Sequence, residues 1–125
     1  MINKIHTDKA PQAIGPYSQA ITVNGMLYTS GQIPVDPVTG EIDGNDITAQ
    51  ATRVCENLKA VLDEAGTKFE NVIKTTCFLA DMSDFADFNK VYADYFVSNP
   101  ARSCVAVKQL PKSVLCEIEV IAVID

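Results

Sequence analysis

The chain has a single histidine, His6, close to its start. A zinc site built on imidazoles or a histidine-based catalytic triad therefore has almost nothing to draw on. Basic residues are also scarce: ten Lys plus Arg stand against sixteen Asp plus Glu, for a net charge of −6. That balance opposes any general attraction to nucleic acid or anionic membranes. No apolar run approaches the length of a membrane span, and Met1–His6 lacks the apolar segment of a signal peptide. A cytoplasmic protein with no membrane partner is expected. Cys55, Cys77, Cys104 and Cys116 form no Cys-x-x-Cys pair, and no secretion signal accompanies them. Reduced thiols are expected.

What is present is ordinary globular composition. With 125 residues, 47% apolar and 21% charged, the chain supports one domain, 1–125, whose core needs neither disulfide nor metal. No linker, low-complexity tract or internal repeat interrupts it.

Turn and cap chemistry divides the chain. Asn24-Gly25 between Ser18–Val23 and Met26–Ser30 predicts a hairpin, because a type I′ turn needs positive φ at both central residues. Thr29-Ser30-Gly31-Gln32 ends its second strand, where a glycine marks close approach of a ligand or another backbone. Gln32–Asn45, rich in turn residues, is expected as an exposed loop. Asp46 can cap a helix over Ile47–Ala65 that stops at Gly66. Its apolar stripe runs through Val54, Leu58 and Val61. The opposite face, including Gln50, Arg53 and Asn57, reads as solvated, and Glu64 has Lys68 as a local partner.

Val72–Ala80 reads as a strand, with Ile73, Cys77 and Leu79 on one face. Asp84–Phe96 reads as a second helix with Phe85, Phe88 and Tyr92 on its buried stripe, and these aromatics read as core rather than as a base-stacking platform. Pro100–Val107 and Val114–Val120 alternate like strands joined by Lys108–Ser113, so the two are expected to pair as a hairpin. The final strand, Glu117–Ile124, is apolar on both faces. Both helices fit one face of the sheet, which leaves the other to be covered by another subunit.

The expected hairpin brings Arg102 and Glu117 in from opposite ends. A guanidinium fork suits a carboxylate, and a glutamate can hold or deprotonate a water. On residue chemistry alone, a structural ion pair between the two is the simpler reading.

The segments Pro100-Ala101-Arg102-Ser103-Cys104-Val105, Leu110-Pro111 and Glu117-Ile118-Glu119 resemble the signature of the Rid/YjgF family of imine deaminases. Ala13–Ala20, Thr29–Pro34, Lys74-Thr75-Thr76 and the Asp84–Asn89 helix start extend the resemblance over nearly the whole chain. It implies an α+β, chorismate-mutase-like mixed β-sheet with two helices packed on one face, assembled as a homotrimer with sites between subunits. It implies cofactor-independent deamination of 2-iminobutanoate or 2-iminopropanoate, a small anionic substrate, to the 2-oxo acid and ammonia. By the same resemblance, Arg102 binds the substrate carboxylate and Glu117 helps hold water. Tyr17, Ser30, Gly31, Asn89 and Cys104 line the site. No cofactor or metal is implied, and Cys104 is given no nucleophilic role. The short Val97–Asn99 link and the cysteine at 116 depart from the family pattern and bear on the pocket rim. A carboxylate-binding module without turnover is the alternative. Some relatives have been associated with RNA cleavage, which the acidic balance disfavours.

Overall fold

A computed structural model describes residues Met1–Asp125. The strands are β1 (Asn3–Ile5), β2 (Ala20–Val23), β3 (Met26–Thr29), β4 (Val72–Leu79), β5 (Ala101–Ala106) and β6 (Cys116–Val123); the helices are α1 (Ile47–Ala65) and α2 (Phe85–Tyr95). One sheet runs β1-β2-β3-β6-β4-β5. Its only parallel pair is β4 with β5, joined through α2.

The local signals act as the sequence implies. Asn24 and Gly25 take φ of 52° and 74° and turn β2 into β3. Asp46 accepts a hydrogen bond from the Ala49 amide, and Gly66 ends α1 in the left-handed region at φ 80°. Both helices lie on one face. There Leu27, Val54, Leu58, Leu79, Phe88 and Ile118 join a single core cluster, and the alternating burial of β6 supplies it with Cys116, Ile118, Val120 and Ala122. All four cysteines are free thiols. No helix is long and apolar enough to cross a membrane.

The expected hairpin of the Arg102 and Glu117 strands does not form. β4 lies between β5 and β6, parallel to the first and antiparallel to the second. The Lys108–Ser113 segment crosses the end of β4, where Val107 donates to the Leu79 carbonyl and Ala80 to that of Leu115. Burial explains the placement. β6 has a fully apolar inner row and takes a central position, whereas β5 is half exposed and remains an edge.

Further expectations are corrected. The Asn57 side chain is fully buried and donates to the carbonyls of Ile33 and Val35, while Gln50 bridges the Gly44 carbonyl and the Leu115 amide. These amides, with the Arg53–Asp43 ion pair, make part of the polar face of α1 the anchor of the 32–45 loop. Gln32 and Val35 within that loop are accordingly buried. A register shift between Val72 and Lys74 pushes Ile73 outward and puts Val72, Thr75, Cys77 and Leu79 against the helices. On α1 the ion pair is Lys59–Asp63, not Glu64–Lys68. Finally, β1 is an edge strand that periodicity did not reveal.

Candidate functional site

Arg102 is the second residue of edge strand β5, in register with buried Thr75. Its side chain lies over one face of α2, where Phe85, Asn89 and Tyr92 follow at helical spacing. Nη1 donates to Asn89 Oδ1 at 2.7 Å, and the guanidinium carbon sits 4.6 Å from the Tyr92 ring centroid and 5.4 Å from that of Phe85. The Tyr92 hydroxyl is tied to Thr75 Oγ1 at 2.7 Å, so the platform beneath the arginine is itself held by β4. No carboxylate lies within ion-pair distance of Arg102. A charged fork held by an amide and two rings keeps most of its donors for another anion. An open cavity of about 340 Å³ lies here, lined by Asn89, Tyr92, Phe96, Pro100 and Arg102 among others.

Glu117 belongs elsewhere. It alternates with buried Cys116 and Ile118 and therefore points to the helix-free face of the sheet. Its carboxylate rests against Gly31: a Cβ built there would collide with Oε2 and lie 2.8 Å from Cδ. Glycine is what lets the acid occupy that space. The Gly31 backbone is held from the Gln32 side by reciprocal hydrogen bonds between Gln32 and Ile118 of 2.9 and 3.2 Å. Burial, and after it the like charge of Glu119, pushes the Glu117 carboxyl above its ordinary value.

Tyr17 and Gly31 line a second cavity of about 560 Å³, together with Gln32, Ile33, Pro111 and Lys112 among others. The loop that carries Tyr17 is clamped by buried Gln19, which accepts from the Thr7 amide and donates to the carbonyls of Thr7, Ala10 and Pro11. Ser30 is bound inward, its hydroxyl donating to the Ser18 carbonyl at 2.6 Å. It therefore shapes the strand end rather than offering a free hydroxyl.

The family model described as Endoribonuclease L-PSP matches residues 7–124. A RutC family protein of Pyrococcus abyssi is 55% identical over 119 residues, covering 94% of each chain. The crystal structure of YyfA from Yersinia pestis, described as a protein of the conserved Rid family, superposes with a TM-score of 0.96 at 50% identity, covering 99% of this chain and 100% of that one. The chain belongs to the Rid/YjgF family. Escherichia coli TdcF, solved with bound serine, is 47% identical with a TM-score of 0.93, covering 98% of this chain and 99% of TdcF.

The Rid/YjgF motif residues fall into two groups in one chain. Arg102, Asn89 and Cys104 sit at the helix-covered face and edge of β5; Tyr17, Ser30, Gly31 and Glu117 gather around the end of β3 and the opposite face. Arg102 and Glu117 form no ion pair, which removes the simpler reading of the two residues. Sequence reasoning missed Phe85, Tyr92 and Thr75 as supports of Arg102 and Gln19 as the clamp of the Tyr17 loop. The aromatics announced themselves only as an apolar stripe, and nothing local distinguishes Gln19 from a solvated strand residue.

Proposed function

We propose that this Rid/YjgF protein hydrolyses 2-imino and enamino acids, such as 2-iminobutanoate and 2-iminopropanoate, to 2-oxo acids and ammonia without a cofactor. The observation that carries the reading is the Arg102 guanidinium, held by Asn89 and Tyr92 yet unpaired with any carboxylate. A prepositioned fork without an internal anion is suited to the carboxylate of a small substrate. TdcF, similar along nearly its whole length, was solved with a bound amino acid, which carries the same group.

The two groups of residues face different sides of the sheet, and each is incomplete alone. A homotrimer in which the Arg102 edge of one subunit meets the Gly31–Glu117 corner of the next would join them. Tyr28, 45% exposed, and Val105, 46% exposed, lie on the helix-free side with half-buried Phe78 and Ile121. Apolar side chains there suit burial between subunits.

The chemistry asked of the site is modest. Arg102 holds the carboxylate and Glu117 takes a proton from water as its oxygen adds to the imine carbon. The resulting carbinolamine collapses as its nitrogen is protonated, the C–N bond breaks, and ammonia leaves. One water is consumed and one 2-oxo acid is formed. Orientation and a proton acceptor of raised pKa are sufficient contributions, because such imines also hydrolyse unaided.

The decisive assay couples the protein to a threonine dehydratase, with semicarbazide diverting free imine, and follows the 2-oxo acid for wild type and Arg102→Ala. Restored flux with wild type alone supports the reading. Near-normal turnover by Arg102→Ala refutes the role of the arginine. Pyruvate binding with no acceleration would instead identify a carboxylate-binding module. The family model's name raises RNA cleavage as a further test, but a charge of −6 disfavours the phosphate contacts RNA requires.

A further inference from the structure

The four cysteines, scattered in sequence, converge on the helix-covered side of the sheet. Cys77 and Cys104 are direct register partners on parallel β4 and β5. Cys116 lies on β6 opposite Leu79, two residues along β4 from Cys77. Cys55 enters the same core cluster as Cys77 and Cys116 from α1. Cys55, Cys77 and Cys116 are fully buried, whereas Cys104 is half-buried at the sheet edge. A molecule entering from solvent therefore meets Cys104 first and reaches Cys77 only behind it.

We propose that Cys77 and Cys104 are a reversible thiol–disulfide pair, with Cys104 the thiol that meets the oxidant and Cys77 the thiol that resolves it. Adjacent strands lie about 4.8 Å apart, within the Cα separation of about 4.4–6.8 Å that a disulfide spans. Both side chains leave the sheet on the same face at the same register. Closing the bond requires the two Cβ atoms to draw together, and β5 has a neighbour on one side only, so it is the strand free to move. A bond made against the ordinary spacing of parallel strands is readily reduced, as labile disulfides are.

The proposed oxidant is a hydroperoxide. The Cys104 sulfur attacks the peroxide oxygen, the O–O bond breaks, and with hydrogen peroxide one water leaves as the sulfenic acid forms. The Cys77 sulfur then attacks Cys104 Sγ and expels the hydroxyl as a second water. Two thiols are oxidised, one peroxide is reduced, and two waters are produced. Burial raises the Cys77 thiol to about 12 and also raises Cys104, an effect opposed at Cys104 by nearby Arg102. The arginine thus offsets part of the rise at the more exposed member of the pair, whose thiol still lies above its ordinary value, so its oxidation should quicken as pH rises. The pairing does not depend on the proposed imine reaction, although it lies two residues from Arg102 on the same strand.

The test treats full-length protein with hydrogen peroxide, blocks remaining thiols, and maps the cysteines by peptide mass spectrometry before and after dithiothreitol. The expected result is a Cys77–Cys104 cross-link, seen as the loss of two hydrogen masses and fully reversed by the dithiol. In Cys77→Ala, oxidised with glutathione present, Cys104 should appear as a glutathione mixed disulfide instead. Wild-type protein carrying sulfinic acid at Cys104 beside an unmodified Cys77 would overturn the proposal. So would a dominant pairing between other cysteines or between subunits. Because the decisive map is made on wild type, a folding defect in the variant does not protect the idea.

Discussion

The Glu117 carboxylate occupies the space that a side chain at residue 31 would need, so Gly31 and Glu117 form one structural unit although 86 positions separate them (117 − 31). Gly31→Ala should push the carboxylate aside while leaving the fold intact, because the colliding atoms belong to the end of a flexible side chain. A displacement of about 1 Å can cost on the order of 100-fold in rate. The coupled dehydratase assay should register a loss of that order, with thermal unfolding little changed. Full activity in Gly31→Ala would show that Glu117 needs no such placement.

Arg102→Lys keeps the charge and discards the fork. Hydrogen bonds to charged groups contribute about 1.5–3 kcal/mol, so the loss of one such contact should weaken pyruvate binding by roughly tenfold or more. Isothermal titration would measure it. Equal affinity for the lysine variant would mean that charge alone, without bidentate geometry, holds the ligand.

Glu117 supplies a pH signature. Burial and Glu119 raise its pKa in the folded chain from an ordinary 4.5. Folded protein therefore binds the proton more tightly than unfolded protein, and this contribution to stability is complete below about pH 4.5 and is lost as pH rises through the higher folded value. Activity that needs the carboxylate should appear on the same rise. Glu119→Gln removes the like charge, so the acid limb of the kcat/KM profile should move to lower pH. An unmoved limb would assign that titration to another group.

Asn57→Ala tests the anchor of the loop that follows Gly31. The buried amide donates to two carbonyls, Ile33 at 3.2 Å and Val35 at 3.0 Å, and its removal leaves both without this donor. A loss of about 2 kcal/mol is expected in urea denaturation, with faster amide exchange over residues 32–45. A stability change near zero would show that the loop is held by other contacts.

Assembly and activity should fail together if the site is shared between subunits. Val105→Glu places a charge on the exposed, helix-free side of the Arg102 strand. Native mass spectrometry should change from three chains to one, and imine turnover should fall while circular dichroism keeps the wild-type signal. A monomeric variant with full turnover would contradict the shared site.

Much of the local structure was determined by the sequence itself. Asn24-Gly25 specifies its turn through positive φ, and Asp46 and Gly66 bound α1 by satisfying its free amides and carbonyls. The separated motifs around Gly31, Arg102 and Glu117 also identify the family before any fold is known. Beyond the β2–β3 hairpin that Asn24-Gly25 closes, strand pairing was not legible, because alternation specifies which face a residue takes and not which strand lies beside it. Only the tertiary structure placed β4 between β5 and β6, buried Asn57 and Gln50 under a loop, and directed Arg102 and Glu117 to opposite faces. Those outcomes depend on which surfaces bury the most apolar area while keeping backbone groups bonded, a condition that no short stretch of chain can express alone.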